Sequence, residues 1–222
     1  SLTSLNGLSS LGYVGHSLTI EENNSLSTLD GIARLEFLSN FLYIRNNGSL
    51  NSIEGLEGIS AVWGTVEIDG NASLTSLDGL SMLLNVVTLN VWNNDSLANL
   101  GLHRLEIVEQ NMYIQNNPSL CQLGGLSMVE SVGEDLCIIS NACLGSLNMP
   151  SLHSIGGNLR VENNSSLASL EGLSRLTTVS GDLTIIDNAL LCQSDAETFA
   201  NFLGATGTVN IENNGALRND CP

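Results

Sequence analysis

Lysine is absent from this chain of 222 residues, and Lys and Arg together number six against 23 acidic residues, for a formal net charge of −17. That balance excludes nucleic acid and anionic membrane surfaces as natural partners, since both are bound through clustered cations that displace counterions. Charged residues of any kind make up only 13% of the chain and hydrophobic ones 42%, so the sequence does not read as disordered. No apolar run reaches the ~18 residues that a membrane-spanning helix requires. Aromatic residues are scarce at 4%, so whatever the chain buries is mostly Leu, Ile and Val. No signal peptide is visible, and the first residues fall inside a repeat, so a processed or trimmed piece of a longer chain is expected.

What is present is repetition. An Asn recurs at 23, 47, 71, 94, 117, 141, 164, 188 and 214, at spacings of 23 or 24 residues and 26 for the last. Three residues before each stands an aliphatic: Ile20, Ile44, Ile68, Val91, Ile114, Ile138, Val161, Ile185 and Ile211. Three after each stands a leucine: Leu26, Leu50, Leu74, Leu97, Leu120, Leu144, Leu167, Leu191 and Leu217. A second aliphatic follows three residues later in most repeats, then often a glycine: Gly31, Gly55, Gly79, Gly125 and Gly172. The residues leading into each Asn, such as Leu183-Thr184-Ile185, alternate with period two, as a strand does.

This period is too short for two helices per repeat and matches leucine-rich and β-helical solenoids. The expected fold is all-β: a right-handed parallel β-helix or leucine-rich-repeat-like solenoid of about nine 23–24-residue turns with a short C-terminal capping helix. Stacked turns lie about 4.8 Å apart, so like residues line up on like. An inward Asn at a fixed corner can then bond the backbone of its own turn and of its neighbour. Without it those backbone groups would be buried unpaired, at roughly 1–3 kcal/mol each. Asn23, Asn47, Asn71, Asn94 and Asn164 each open an N-x-S sequon, but a buried amide cannot carry a glycan. Asn163 also opens one and precedes the ladder position, so it is the better acceptor.

Two segments are expected: residues 1–191 as solenoid repeats, continued upstream, and 192–222 as a cap of the same domain. In the cap, Ser194 or Asp195 starts a short amphipathic helix that runs to about Leu203, with Gly204 ending it. A disulfide between Cys192 and Cys221 is expected to close the cap. Cys121 and Cys143 sit near one corner of adjacent turns and are placed to bridge; Cys137 is expected to face outward as a free thiol. Persistent disulfides fit an extracellular, secreted or cell-surface setting. At the N-terminal end no cap is visible, so further repeats, a partner or a second copy is expected to cover it.

The pattern L-x-[IV]-x-x-N-x-x-L-x-x-L-x-G-L-x-x-[LI]-x-x-V-x-G, as in residues 159–183, resembles the receptor L-domain family. Those domains occur in insulin and epidermal-growth-factor receptor ectodomains, fungal cell-wall proteins and bacterial surface proteins. The resemblance implies one elongated extracellular domain without catalysis or cofactor, which binds protein or glycan through its surface. The cysteine-rich module of the receptors does not follow, so a growth-factor ligand is not carried over.

For a contact site, the outward residues of the strands bring Tyr43, Trp92 and Tyr113 within four adjacent turns, with Phe41 and Arg45 at one edge and Glu67 and Asn90 between. Exposed Tyr, Trp and Arg among amide and acidic groups suit a sugar face or a protein anchor, although aromatics favour strands in any case. Four competing readings follow from other features. Self-assembly could run through the open end or a flat Ser/Thr/Asn strip that includes Ser27-Thr28 and Thr75-Ser76. Ice binding would need regular Thr ranks that the strip lacks. Asp30, Glu54 and Asp78 form an acidic column that could hold Ca²⁺, or simply a solvated edge. Glu67 and Asp69 are spaced as an inverting glycosidase pair would be, but regular turns leave no loops to wall a cleft. His16, His103 and His153 lie on non-adjacent turns and make no metal set.

Overall fold

The computed structural model describes residues 2–215. Their strands form one sheet of 16 strands with parallel neighbours, and one short helix, α1, spans Gln193–Phe202. The fold is an all-β solenoid. Each turn contributes one main strand, exemplified by Leu159–Glu162, which pairs in register with Leu136–Ile139 and Leu183–Ile186. Alternation puts Leu159 and Val161 in the core and Arg160 outside. A second, narrower column consists of two-residue strands such as Tyr13–Val14, Phe37–Leu38 and Ile107–Val108. In two turns the strand runs straight through the corner between columns, as Ala61–Asp69 and Asn85–Trp92.

On the far side, six turns bend through a 3₁₀ turn: Asn6–Leu8, Asp30–Ile32, Glu54–Leu56, Asp78–Leu80, Gly124–Leu126 and Glu171–Leu173. The recurring central glycine is a packing requirement. A Cβ on Gly79 would lie 1.9 Å from the Ile53 carbonyl oxygen of the turn beneath. Two turns shorten this bend by one residue, to Leu100-Gly101-Leu102 and Leu147-Asn148-Met149. Gly101 and Asn148 there take positive φ, 63° and 45°. Those are two of the three 23-residue spacings; the third, Asn71 to Asn94, lacks a bulge residue that the preceding turn carries.

The Asn ladder forms as its spacing predicts. Asn71 donates from Nδ2 to the carbonyls of Ile44 (2.9 Å) and Asp69 (3.1 Å). Its Oδ1 accepts from the backbone N–H and Nδ2 of Asn47. Asn47, Asn71, Asn94, Asn117, Asn141, Asn164 and Asn188 are fully buried and Asn214 nearly so; Asn23 is half-buried. Immediately before each ladder Asn the chain enters the left-handed region, at Glu22, Asn46, Gly70, Asn93, Asn116, Ser140, Asn163, Asp187 and Asn213. Asn, Asp and Gly tolerate that conformation best, which is why this column is rich in them.

Three expectations require correction. Cys192 is the N-cap of α1, with no side-chain capping bond, and Ser194 and Asp195 lie inside the first turn. The helix already starts at Gln193, which is too early for either to cap it. Gly204 does not end the helix; Leu203 does, and Gly204–Ala205 pairs with Thr178–Val179 as a strand. Cys137 is on the outer side of the sheet but only 3% exposed, because its register neighbours Tyr113 and Arg160 are larger side chains. The Cys121–Cys143 bridge is formed. Closing a loop of that length stabilises the fold by about 3 kcal/mol. Cys192 is not a free thiol; its expected partner Cys221, like Leu217, lies outside the described residues.

The core is aliphatic throughout. The inward-facing Leu, Ile, Val and Met side chains between Leu26 and Leu191 are almost entirely inaccessible, each worth roughly 1.5–3 kcal/mol by burial. No aromatic ring is buried there: all nine are exposed or half-buried. Turns stacked this closely, with corners this tight, leave an interior that branched aliphatics fill and rings do not.

Candidate binding face

Because the aromatics are shut out of the interior, they collect on the outside, and seven of the nine stand between Tyr13 and Tyr113 on the sheet. The strand Leu42–Arg45 and the residue before it present Phe41, Tyr43 and Arg45 outward. Phe41 and Tyr43 stack with centroids 5.4 Å apart and planes within 6°. The Arg45 guanidinium lies 3.9 Å above the Tyr43 ring, a contact worth roughly 0.5–2 kcal/mol. Arg45 is also ion-paired to Glu67 on the next turn. That hydrogen bond, more than any other influence, holds the Arg45 proton more tightly than usual, against the opposing effect of burial.

Glu67 in turn accepts from Asn90 Nδ2 at 3.4 Å. Two turns are thereby tied to a third, and Trp92, beside Asn90 on the same strand, stacks on Tyr113 with centroids 6.3 Å apart and planes within 8°. The seven residues singled out from sequence therefore make one file across four turns. Asn90 is 8% exposed, so it is the floor of the patch rather than a contact. Its Oδ1 has no hydrogen-bond partner among the described residues. Burial, followed by the charges of Cys137 and Asp135, raises the Tyr113 hydroxyl's pKa.

Further along the face the chemistry fades. Burial pushes the Cys137 thiol up to about 11, with Arg160 opposing. Arg160 turns back along its own strand to bond Glu162 through Nε at 2.7 Å. Glu67 and Asp69 are each tethered, Glu67 as above and Asp69 by Asn93 Nδ2 at 2.8 Å. In the acidic column, Asp30 and Asp78 accept from Thr28 and Ser76 hydroxyls. Among the described residues no group of three His, Cys, Asp or Glu is arranged to hold a metal ion. Asn163 is exposed, whereas the sequon residues Asn47, Asn71, Asn94 and Asn164 are buried.

With this geometry established, comparison with known proteins places part of the chain. Residues 40–129, which carry the whole aromatic file, match the family model of the receptor L domain. Over that segment, less than half of its length, the chain is similar to receptor L domains. No curated protein and no solved structure matches the chain. Receptor L domains are extracellular, non-catalytic ligand-binding modules. In this chain the Cys121–Cys143 disulfide is consistent with that setting, and among the described residues no helix is long and apolar enough to cross a membrane.

Sequence reasoning missed two features of the solenoid. Tyr13 and Phe37 stack on the narrow column, 5.2 Å apart and within 5° of parallel. Trp63 stands 70% exposed at the crease between the columns. The available signal was Gly64, since an isolated glycine in a strand pattern marks a bulge.

Proposed function

We propose that the chain is an extracellular recognition module that engages a protein or glycan partner through the file from Phe41 to Tyr113. One observation carries the reading: the aromatics excluded from the core are stacked on one another and on Arg45 across adjacent turns, so the patch exists before any ligand arrives. Trp, Tyr and Arg dominate the energetic centres of protein interfaces. Holding them in place beforehand reduces the ordering cost of association. Tethering of Glu67 and Asp69 by neighbouring side chains supports binding over glycoside hydrolysis.

Arrays of secreted proteins and of glycans, read with the wild type and with Trp92→Ala and Tyr43→Ala, test the proposal. Both variants are expected to lose at least about tenfold in affinity for any specific binder while keeping the folded circular-dichroism spectrum. Binders indifferent to both substitutions would sink it. End-to-end polymers in light scattering that survive Trp92→Ala would instead support a self-assembling surface component.

A further inference from the structure

We propose that Trp63 is the platform of a second site, sized for a single neutral sugar ring, at the crease between the main and narrow sheet columns. The inference rests on reading the chain as a recognition module but uses none of the side chains of the Phe41–Tyr113 file.

The presentation of Trp63 is built into the backbone. Val62 pairs with Val86 and Thr65 with Thr88, so Trp63 and Gly64 together oppose the single residue Val87. Two residues against one is a β-bulge, a device that re-aims a side chain. Only glycine fits the second bulge position, because a Cβ on Gly64 would lie 2.7 Å from Asn40 Oδ1 and 2.9 Å from the Asn40 carbonyl oxygen. The result holds an indole at 70% exposure, leaving unburied one of the largest apolar surfaces a side chain offers.

Beside the indole lies a cavity of about 170 Å³, walled by Ala61, Trp63, Asn85, Val87 and Glu109. That volume equals roughly five or six waters, about the space of one pyranose ring and too little for a peptide segment. A pyranose has an apolar C–H face and a hydroxyl edge. The cavity offers the matching pair: a flat indole with Val87 beside it, and the Asn85 amide and Glu109 carboxylate as hydrogen-bonding groups at its margin. The carboxylate, on a chain of net charge −17, disfavours anionic sugars, and no acidic group of the ligand is needed to fill the site.

The two tryptophans, Trp63 and Trp92, give separate indole N–H signals in a ¹H–¹⁵N spectrum, assigned with Trp92→Phe. Glucose, galactose, mannose and N-acetylglucosamine are titrated singly to tens of millimolar. At least one is expected to shift the Trp63 signal saturably, with Trp63→Ala weakening that sugar at least about tenfold and Trp92→Ala changing it less than about twofold. Circular dichroism checks that Trp63→Ala folds. The site is refuted if none of the four sugars moves the Trp63 signal, or if binding survives Trp63→Ala. Sugar binding at Trp63 without any Trp92-dependent partner would refute the main-face reading alone.

Discussion

Asn71 Oδ1 accepts two hydrogen bonds from Asn47, one from its backbone N–H at 3.1 Å and one from its side-chain amide at 3.2 Å. Asn71 passes the same arrangement on to Asn94, at 3.0 and 3.4 Å. Each ladder amide thus satisfies groups in its own turn and in the turn before it, and the solenoid has a polar spine inside an otherwise apolar interior.

Replacing a central member should therefore be severe. Asn94→Ala strands the carbonyls of Ile68 and Trp92 and the amide groups of Asn71. A loss of at least about 3 kcal/mol is expected, from several buried groups at 1–3 kcal/mol each. Urea denaturation measures it; a loss below about 1 kcal/mol would mean that water replaces the amide and that the spine is dispensable. Asn94→Asp should be no better, since an oxygen would then face two carbonyl oxygens.

The left-handed column offers a gain instead. Ser140 adopts φ 57° where most other turns use Asn, Asp or Gly. Ser140→Asn is expected to raise stability by about 0.5–1 kcal/mol, because Asn tolerates this region better than Ser. Gly70→Ala should do the reverse, since Gly70 has φ 66° and its added Cβ would meet Asn46 Oδ1 at 2.4 Å. Thermal melting of both variants decides, and a stabilised Gly70→Ala would contradict the geometry.

Cys137 gives a pH signature. Burial lifts its thiol from 9.0 to about 11, so between those values the folded state keeps a proton that the unfolded chain has released. Stability attached to this group is therefore complete below about pH 9 and falls as pH rises towards 11. Cys137→Ala should flatten that part of the stability–pH curve. Wild-type protein at neutral pH should react slowly with a thiol reagent until denaturant is added. Rapid labelling of the native protein would show that the thiol is not covered.

The repeat was legible because a solenoid makes residues 23 or 24 apart occupy equivalent places, so one physical demand is written many times. Ile, Asn, Leu and Gly each recur where a core face, a buried corner, a second core face and a close backbone approach recur. The Cys121–Cys143 bridge was readable from the same register. The aromatic file was found by lining up outward strand positions, although its stacking and the burial of Asn90 were not. Cys137 was misjudged because a strand pattern states which side a residue faces, not how tall its neighbours are. The helix cap was misjudged for a related reason: Ser194 and Asp195 suit a cap, but the path of the chain out of the last full turn starts the helix at Gln193.

Amino-acid order alone determined the period, the aliphatic interior and the internal Asn spine, since these depend on contacts between chemically identical positions. Three things depended on the folded chain: that Arg45 lies over Tyr43, that Trp63 and Gly64 bulge against Val87, and that Tyr113 and Arg160 cover Cys137. Each involves unlike residues on neighbouring turns, whose relative heights and angles arise only when the turns are stacked.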